Sequence, residues 1–208
     1  CCAWTAVWPF DEVTEMEKRR VVITGMGTVN PIGNSVAESW EAVHAGKCGI
    51  APITRYDTAG LKVKLAGEVK NLDLETLLGK RECKKMDRFT QLALAASDQA
   101  VADSGLDRER ENLDRCGIIF SSGIGGFETI EEAYKRAETR GYDSVSPFMI
   151  PMIISNMAAG QMAIRYGFRG MCTCVVTACA SSNNALGDAF RHIRDGYSEV
   201  MLCGGAEA

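Results

Sequence analysis

The chain has 208 residues, 46% of them hydrophobic, and this length allows one or two domains with a substantial core. A formal net charge of −4 argues against nucleic acid as a partner, because no basic excess is present to neutralise a phosphate backbone. The nine cysteines are odd in number and irregularly spaced, which indicates reduced thiols in a cytoplasm rather than a secreted disulfide framework. No apolar run approaches the roughly 20 residues that span a bilayer, so we expect a soluble, cytoplasmic protein without a membrane partner.

The two ends of the chain differ in character from its middle. Residues 1–15 carry two tryptophans and two cysteines, lack a basic region and end in acidic residues, so they do not form a signal peptide. We expect them to be a non-native segment translated from upstream DNA, with Met16 as the start. The last eight residues are an apolar strand and a Gly-Gly turn with no cap after it. The sequence therefore predicts one domain over 16–208 that is truncated at its C-terminus.

The first predicted elements are a strand and a helix. Residues 21–23 form a short β-branched run, which is typical of a buried strand. Ser35 and Glu38 have capping-box spacing, so they predict a helix start, and Gly46 supplies a left-handed stop. Beyond it the periodicity is mixed, and one short hairpin is predicted over 63–69.

The rest of the chain alternates between helix and strand. Helices are predicted from Asp87 to Gly105 and over 127–140, 152–166 and 180–195, and strands over 117–120, 172–177 and 199–203. This alternation indicates an α/β fold with a parallel or mixed sheet covered by helices, and active-site groups are then expected where strands turn into helices. Three strand-to-helix loops are candidates: 24–34, 121–127 and 177–183.

The first two loops give weak functional signals. Gly25 and Gly27 begin like a dinucleotide fingerprint, but the third glycine is missing at the required spacing and Pro31 delays the helix, so no nucleotide cofactor is expected. The second loop, SSGIGG, allows either close backbone approach to a ligand or another chain, or a tight turn packed against a helix. Its bulky member, Ile124, is a candidate wall of an apolar pocket.

The third loop carries the main catalytic candidate. In TCVVTACASSNN a β-branched strand runs into Cys179, which is followed by small residues that open a helix. Amides at a helix start favour a thiolate and bind an oxyanion, so we interpret Cys179 as a nucleophile rather than a buried structural cysteine. His192 lies thirteen residues further along the same helix, about 20 Å along its axis, and cannot act as the base for this thiol. The cysteines and histidines form no metal-ligand pattern, so no metal is expected.

Three motifs carry a resemblance to a known family. They are VVITGMGTVNPIG near the start, PMIISNMAAGQMAIRYGFRG, and TACASSNNALGDAFRHI around the cysteine. From about Lys18 to Ala208 the sequence resembles elongating, type II β-ketoacyl-[acyl-carrier-protein] synthases. The resemblance implies a thiolase-like fold of two pseudo-symmetric halves, of which this chain is the first, and a homodimer without a cofactor. It also implies decarboxylative condensation of an acyl-cysteine enzyme with malonyl-acyl carrier protein.

The resemblance also implies roles for single residues. Cys179 is the acyl-accepting nucleophile and supplies one oxyanion amide, Ile124 lines the acyl pocket, and Met149 reaches across the dimer to the partner's pocket. The positions of Arg81, Lys84 and Lys85 match those implied to contact acyl carrier protein. From charge alone, this basic cluster is either a docking surface for an acidic partner or the solvated start of a helix. Two histidines, a lysine and a gating loop belong to the second half, so the chain alone is expected to be inactive.

Other functions remain open at this stage. A polyketide ketosynthase or a thiolase-type acyltransferase would share the fold and the nucleophile. A non-catalytic thiolase-like dimer subunit is an alternative of another class. The intact Cys179 argues against that subunit, because a protein without chemistry has no need of an activated thiol.

Overall fold

A three-stranded parallel sheet with helices on both faces organises residues 18–208, which are the residues that this computed structural model describes. The segment boundary predicted at residue 15 lies outside them. The strands are β1 (Ile50–Pro52), β2 (Leu65–Gly67), β3 (Cys116–Ser121), β4 (Cys172–Thr173) and β5 (Val200–Gly205). The helices are α1 (Val36–His44), α2 (Leu74–Leu78), α3 (Lys80–Cys83), α4 (Arg88–Ser104), α5 (Phe127–Arg140), α6 (Met149–Ile153), α7 (Met157–Tyr166) and α8 (Ser181–Arg194).

The strand order is β4-β3-β5, and β3 is parallel to both neighbours. Every residue of β3 is buried, as expected for a central strand that is covered on both faces. Its register with β5 runs from Cys116 opposite Val200 to Ser121 opposite Gly205, so the carboxyl ends of the two strands are level. The predicted α/β alternation is confirmed.

The core lies on both sides of β3. On one side Ile118 packs in a cluster with Phe89 of α4 and Met162 of α7, all fully buried. On the other side Ile119 packs against Ala185 and Ala189 of α8. Because neighbouring residues of a strand point to opposite faces, these two isoleucines anchor the two helix layers. Within residues 18–208 no helix combines the length and the apolar character needed to cross a bilayer.

The predicted start of α1 and both predicted ends of α4 are confirmed. The Ser35 hydroxyl accepts the amide of Glu38 at 3.2 Å, while the Glu38 carboxylate accepts the amide of Asn34 at 2.7 Å, a variant of the capping box. Asp87 caps α4, and Gly105 ends it in the left-handed region with φ 64°. The hairpin predicted over 63–69 is only partly right, because β2 lies there but pairs with the earlier strand β1.

The strand predicted over 21–23 is wrong. Those residues form no strand, and Ile23 is 76% exposed. The two edges of β3 are taken by β4 and β5, so no place beside it remains. The segment runs over α4 instead, where an added side chain at Gly25 or Gly27 would collide with helix backbone.

Two other predicted elements are shorter than expected. The strand predicted over 172–177 stops at Thr173, because the amide of Val175 donates to the Ser121 hydroxyl rather than to a backbone carbonyl of β3. The helix predicted over 152–166 is broken between α6 and α7. There the carbonyl of Ile153 accepts the amide of Gly126 at 3.0 Å, so a loop takes an acceptor that a continuous helix would use.

Candidate active site

Two of the three candidate loops meet at the carboxyl ends of β3 and β5. A Cβ added at Gly123, in the loop after β3, would lie 3.7 Å from the Cα of Ala178, in the turn before α8. The loop over 24–34 is not part of this arrangement, since it packs on α4 and the amide of Met26 donates to Asp103 at 2.9 Å. The turn that carries Cys179 (177–181), which we call the candidate nucleophile turn, and the glycine loop (121–126) are therefore adjacent.

The turn that carries Cys179 is tight. Ala178 has φ 52°, in the left-handed region that side chains rarely occupy. The amides of Ala180 and Ser181 donate to the carbonyls of Thr177 and Ala178, each at 3.1 Å. The Ser181 hydroxyl accepts the amide of Thr177 at 2.8 Å and donates to the carbonyl of Ala178 at 2.6 Å. The predicted turn into a helix is present, but the strand before it ends at Thr173 rather than running into Cys179. Cys179 is exposed and directly precedes Ala180, the N-cap residue of α8.

Two backbone amides in this turn, those of Ala178 and Cys179, have no acceptor within residues 18–208. The two amides that follow them close the turn. An unused amide at a helix start can donate to a developing oxyanion. The turn therefore offers a thiol and a donor on the same residue.

Four thiols of the described chain have a pKa above the ordinary value. Burial raises the pKa of Cys83, Cys116, Cys172 and Cys203, and nearby carboxylates add to the effect at the first two. A higher pKa leaves less thiolate at neutral pH, and the thiolate is the reactive form. Cys48 shares with Cys179 an exposed position.

The glycine loop has two different neighbours. An added Cβ at Gly125, which has φ 81°, would collide with the carbonyl of Ile153 in α6, and one at Gly126 would lie 2.5 Å from the carbonyl of Met152. These two glycines therefore serve the tight turn against a helix, which was one of the two interpretations of the loop. Gly123 faces the candidate nucleophile turn instead.

The two predicted acyl-pocket residues belong to this loop and its helix. Ile124 stands between the glycines of the loop and is 65% exposed. Met149 is the first residue of α6, whose last residue accepts the amide of Gly126. The structure thus places both residues on elements that adjoin each other and the loop beside Cys179.

The basic cluster lies on α3 and the turn after it. Arg81, Lys84 and Lys85 are all exposed. Lys85 pairs with Glu82 at 2.9 Å, whereas Arg81 and Lys84 make no ion pair in the part of the chain that the structure describes. A cavity of about 310 Å³ adjoins Lys84 and is lined also by Arg88 and by Met152 of α6. The cavity therefore lies between the basic cluster and α6, the helix that contacts the glycine loop.

The two histidines lie away from Cys179 in the fold. His192 occupies the last turn of α8, at the opposite end from Cys179, and contacts Tyr197 in a tilted arrangement with ring centroids 5.5 Å apart. His44 ends α1 and contacts Trp40 edge to face. Among residues 18–208 no three acidic, histidine or cysteine side chains group as a metal site.

Sequence reasoning missed one residue of this region, Glu207. Its carboxylate accepts the amide of Gly123 at 2.7 Å and the hydroxyl of Ser122 at 3.1 Å. The available signal was its position two residues after the Gly-Gly end of a strand, at the sheet edge where the glycine loop also begins.

Comparisons with known proteins agree with this geometry. Residues 18–208 match the family model described as "Beta-ketoacyl synthase, N-terminal domain". The chain is 44% identical over 196 residues to 3-oxoacyl-[acyl-carrier-protein] synthase 2 of Synechocystis sp., covering 94% of this chain and 47% of that protein. It is 46% identical over 192 residues to the protein of the same name from Staphylococcus aureus strain COL, covering 92% of this chain and 46% of the relative.

The fold also matches a solved structure described as "The ishigamide ketosynthase/chain length factor". The TM-score is 0.85 at 30% identity, and the match covers 92% of this chain and 48% of that one. The chain spans about half the length of the curated relatives it matches.

Proposed function

Because this chain belongs to the β-ketoacyl synthase family and matches its N-terminal domain, we propose that it supplies the acyl-accepting nucleophile of a 3-oxoacyl-[acyl-carrier-protein] synthase of fatty-acid elongation. The observation that carries the proposal is the exposed Cys179 on its tight turn at the start of α8, beside the glycine loop. The proposed setting is a homodimer in the cytoplasm.

In the first step the Cys179 thiolate attacks the thioester carbonyl of an acyl carrier protein. The carbonyl oxygen becomes an oxyanion, and the amide of Cys179, which has no acceptor within residues 18–208, donates to it. Collapse of the tetrahedral intermediate expels the thiolate of the carrier's prosthetic group, which takes up a proton. The acyl chain is then held as a thioester on Cys179.

In the second step malonyl-acyl carrier protein loses carbon dioxide, and the carbanion attacks the acyl thioester. The new carbon–carbon bond displaces the Cys179 thiolate and leaves β-ketoacyl carrier protein. The family resemblance assigns support of the decarboxylation to two histidines and a lysine of the second half. His44 and His192 do not fill those roles, since they lie on α1 and at the far end of α8.

Three further roles belong to this proposal. Ile124 lines the acyl pocket, Met149 reaches the pocket of the partner subunit, and the basic cluster docks the carrier protein. The exposed apolar side chains of Phe148 and Ile150 beside Met149 support a partner surface there, since such side chains are rarely clustered on a monomer.

Fatty-acid elongation is supported over the alternatives by the comparisons. The relatives named 3-oxoacyl-[acyl-carrier-protein] synthase 2 are 44% and 46% identical, against 30% for the ishigamide ketosynthase/chain length factor. The intact Cys179 disfavours a non-catalytic dimer subunit.

Acylation of the complete gene product by acyl carrier protein tests the proposal. We expect the peptide that contains Cys179 to gain the mass of the acyl group, and malonyl-acyl carrier protein then to release it as a β-ketoacyl product. Cys179→Ser should lose both signals. Acyl transfer to another cysteine, or transfer that survives in Cys179→Ser, would contradict the assignment.

Charge reversal tests the docking surface separately. Arg81→Glu with Lys84→Glu should raise the KM for acyl carrier protein by about tenfold or more at low salt, because steering depends on complementary charge. Acyl transfer from a small soluble thioester should not change. Lys135→Glu, in an exposed ion pair on α5, is the matched control. An equal effect of the control variant would argue against a specific docking surface.

A further inference from the structure

Glu207 lies two residues after the end of β5, next to the glycine loop. Beyond the paired ends of β3 and β5, the amide of Ala206 donates to the carbonyl of Ser121 at 3.0 Å. This bond extends the ladder by one step and fixes the backbone directly before Glu207. The residue directly before Glu207 is therefore hydrogen-bonded to the central strand.

The carboxylate holds the glycine loop at two points. One oxygen accepts the amide of Gly123 at 2.7 Å, and the other accepts the Ser122 hydroxyl at 3.1 Å. The Ser122 side chain, which is only 2% exposed, accepts in turn the amide of Gly125 at 2.9 Å. Gly123 and Gly125 are the neighbours of Ile124 in the sequence. The hydrogen bonds from Glu207 and Ser122 therefore fix the backbone on both sides of Ile124.

Within residues 18–208, the Glu207 carboxylate makes no ion pair. Its hydrogen bonds there are the two from Ser122 and Gly123 of the glycine loop. Glycine residues leave a loop many accessible conformations, and an acceptor with two oxygens restricts them. Gly123 also faces Ala178, directly before Cys179. The conformation of the loop thus bears on both the candidate pocket wall and the candidate nucleophile turn.

We propose that Glu207 is a positioning residue for acyl transfer, which holds Ile124 and the glycine loop against the turn of Cys179. It touches neither the thiol nor the acyl carbonyl, and it acts through Ser122 and Gly123. The inference rests on the proposed function, because it assigns the loop to the acyl pocket. Its specific consequence is an effect that grows with the length of the acyl chain.

The test compares Glu207→Ala and Glu207→Gln in the complete gene product. Acyl transfer to Cys179 is measured with a series of acyl carrier proteins that bear short to long chains. For Glu207→Ala we expect kcat/KM to fall on the order of 10-fold for long chains, since displacement of a positioning group is costly, and much less for short ones. Glu207→Gln should recover most of the loss, because its amide oxygen still accepts the amide of Gly123 and its amide nitrogen can donate to Ser122.

Two controls separate positioning from general damage. Glu199→Ala removes an exposed carboxylate before the other end of β5, paired with Arg115 at 3.0 Å, and should leave the chain-length profile unchanged. The Tm and the rate of iodoacetamide labelling at Cys179 should stay close to those of the unaltered protein in Glu207→Gln. If Glu207→Ala leaves the dependence of kcat/KM on chain length unchanged, or lowers kcat/KM equally at all chain lengths, the role of Glu207 is overturned while the proposed function stands. If the unaltered protein takes no acyl group at Cys179, the proposed function and the inference fall together.

Discussion

At the scale of one residue, the backbone conformation of Ala178 accounts for the exposed position of Cys179. A non-glycine residue with φ 52° costs on the order of 1 kcal/mol or more, and such strain persists only where the surroundings enforce it. Here the enforcing group is the Ser181 side chain, which bonds to both Thr177 and Ala178. The reversal of chain direction at Ala178 brings Cys179 to the surface instead of into the sheet.

The position of Cys179 predicts selective alkylation. With limiting iodoacetamide we expect Cys179 to react about 10-fold faster than Cys48, because Cys179 is exposed beside the N-terminal end of α8, whereas Cys48 lies between α1 and β1 with no helix start beside it. Peptide mapping after partial labelling measures the ratio. Cys48 is the matched control, as it is also exposed. Uniform labelling, or preference for Cys48 or Cys83, would remove the main support for the mechanism.

Ile124 predicts the limit on acyl chain length. Ile124→Phe should shorten the longest chain that is accepted while short acyl groups remain usable, because added bulk in a pocket excludes length first. The acyl-length profile of the complete gene product measures this. Ile164→Phe, at a residue of α7 that is 76% exposed, is the control and should have no effect. A profile that Ile124→Phe leaves unchanged would place Ile124 outside the pocket.

At the scale of elements, local signals in the sequence predicted the helices well. The cap at Asp87 and the glycine stops at Gly105 and Gly167 depend on neighbouring residues only, so they are visible without the fold. The errors arose where distant groups take the hydrogen bonds. Ser121 ends the strand at Thr173 through its side chain, and Gly126 takes the carbonyl of Ile153 at the break between α6 and α7.

Asp87 joins two helices through one buried carboxylate. One oxygen accepts the amide of Phe89 at the start of α4, and the other accepts the amide and hydroxyl of Thr129 in α5 at 2.9 and 2.6 Å. The N-cap of α2, Asp73, likewise accepts the amide and hydroxyl of one threonine, Thr76, but in an exposed position. The two aspartates thus differ in burial and in the number of helices they connect.

We expect Asp87→Ala to lower the free energy of unfolding by about 2–4 kcal/mol, the loss of a cap plus buried groups left without partners. Asp73→Ala should cost only about 1 kcal/mol. Urea unfolding of both variants measures the difference. Equal costs would mean that the bond between α4 and α5 adds nothing to stability.

At the scale of the whole molecule, the sequence predicted which loops meet but not what holds them. The parallel alternation of strands and helices places the loops after β3 and before α8 at one sheet edge, as found. Glu207 and Gly123 are 84 positions apart, and no periodic pattern relates two residues at that separation. The strand predicted over 21–23 failed for a similar reason. Which strands become neighbours in a sheet depends on residues far apart in the sequence, and both edges of β3 are occupied by β4 and β5.

The 208 residues expressed alone should form no β-ketoacyl product. Neither histidine lies at the candidate nucleophile turn, and loss of even one group that stabilises the transition state typically costs about 100-fold or more. The described surface also exposes many large apolar side chains, so the polypeptide should bind hydrophobic dyes and aggregate. They include Val22, Ile23, Phe148, Ile150 and Val176.

Product analysis, dye fluorescence and light scattering check these outcomes together. The matched control is the same chain joined to a C-terminal half like that of its relatives, which should restore condensation and reduce dye binding. A monomeric 208-residue protein that condenses acyl and malonyl carrier proteins would refute the requirement for a second half.

The pairing of β3 with β5 also sets an order of events during synthesis. A ribosome releases β3 before both of its partners, first β4 and then β5. The second partner lies more than 80 positions later, as the 84-residue separation of Gly123 and Glu207 indicates. Closing such a long segment is entropically unfavourable until the pairing is complete. The glycine loop can take its final shape only when Glu207 has emerged. Nascent chains should therefore acquire the geometry around Cys179 late, and the Cys179 thiol leaves the ribosome before the adjoining glycine loop has its final shape.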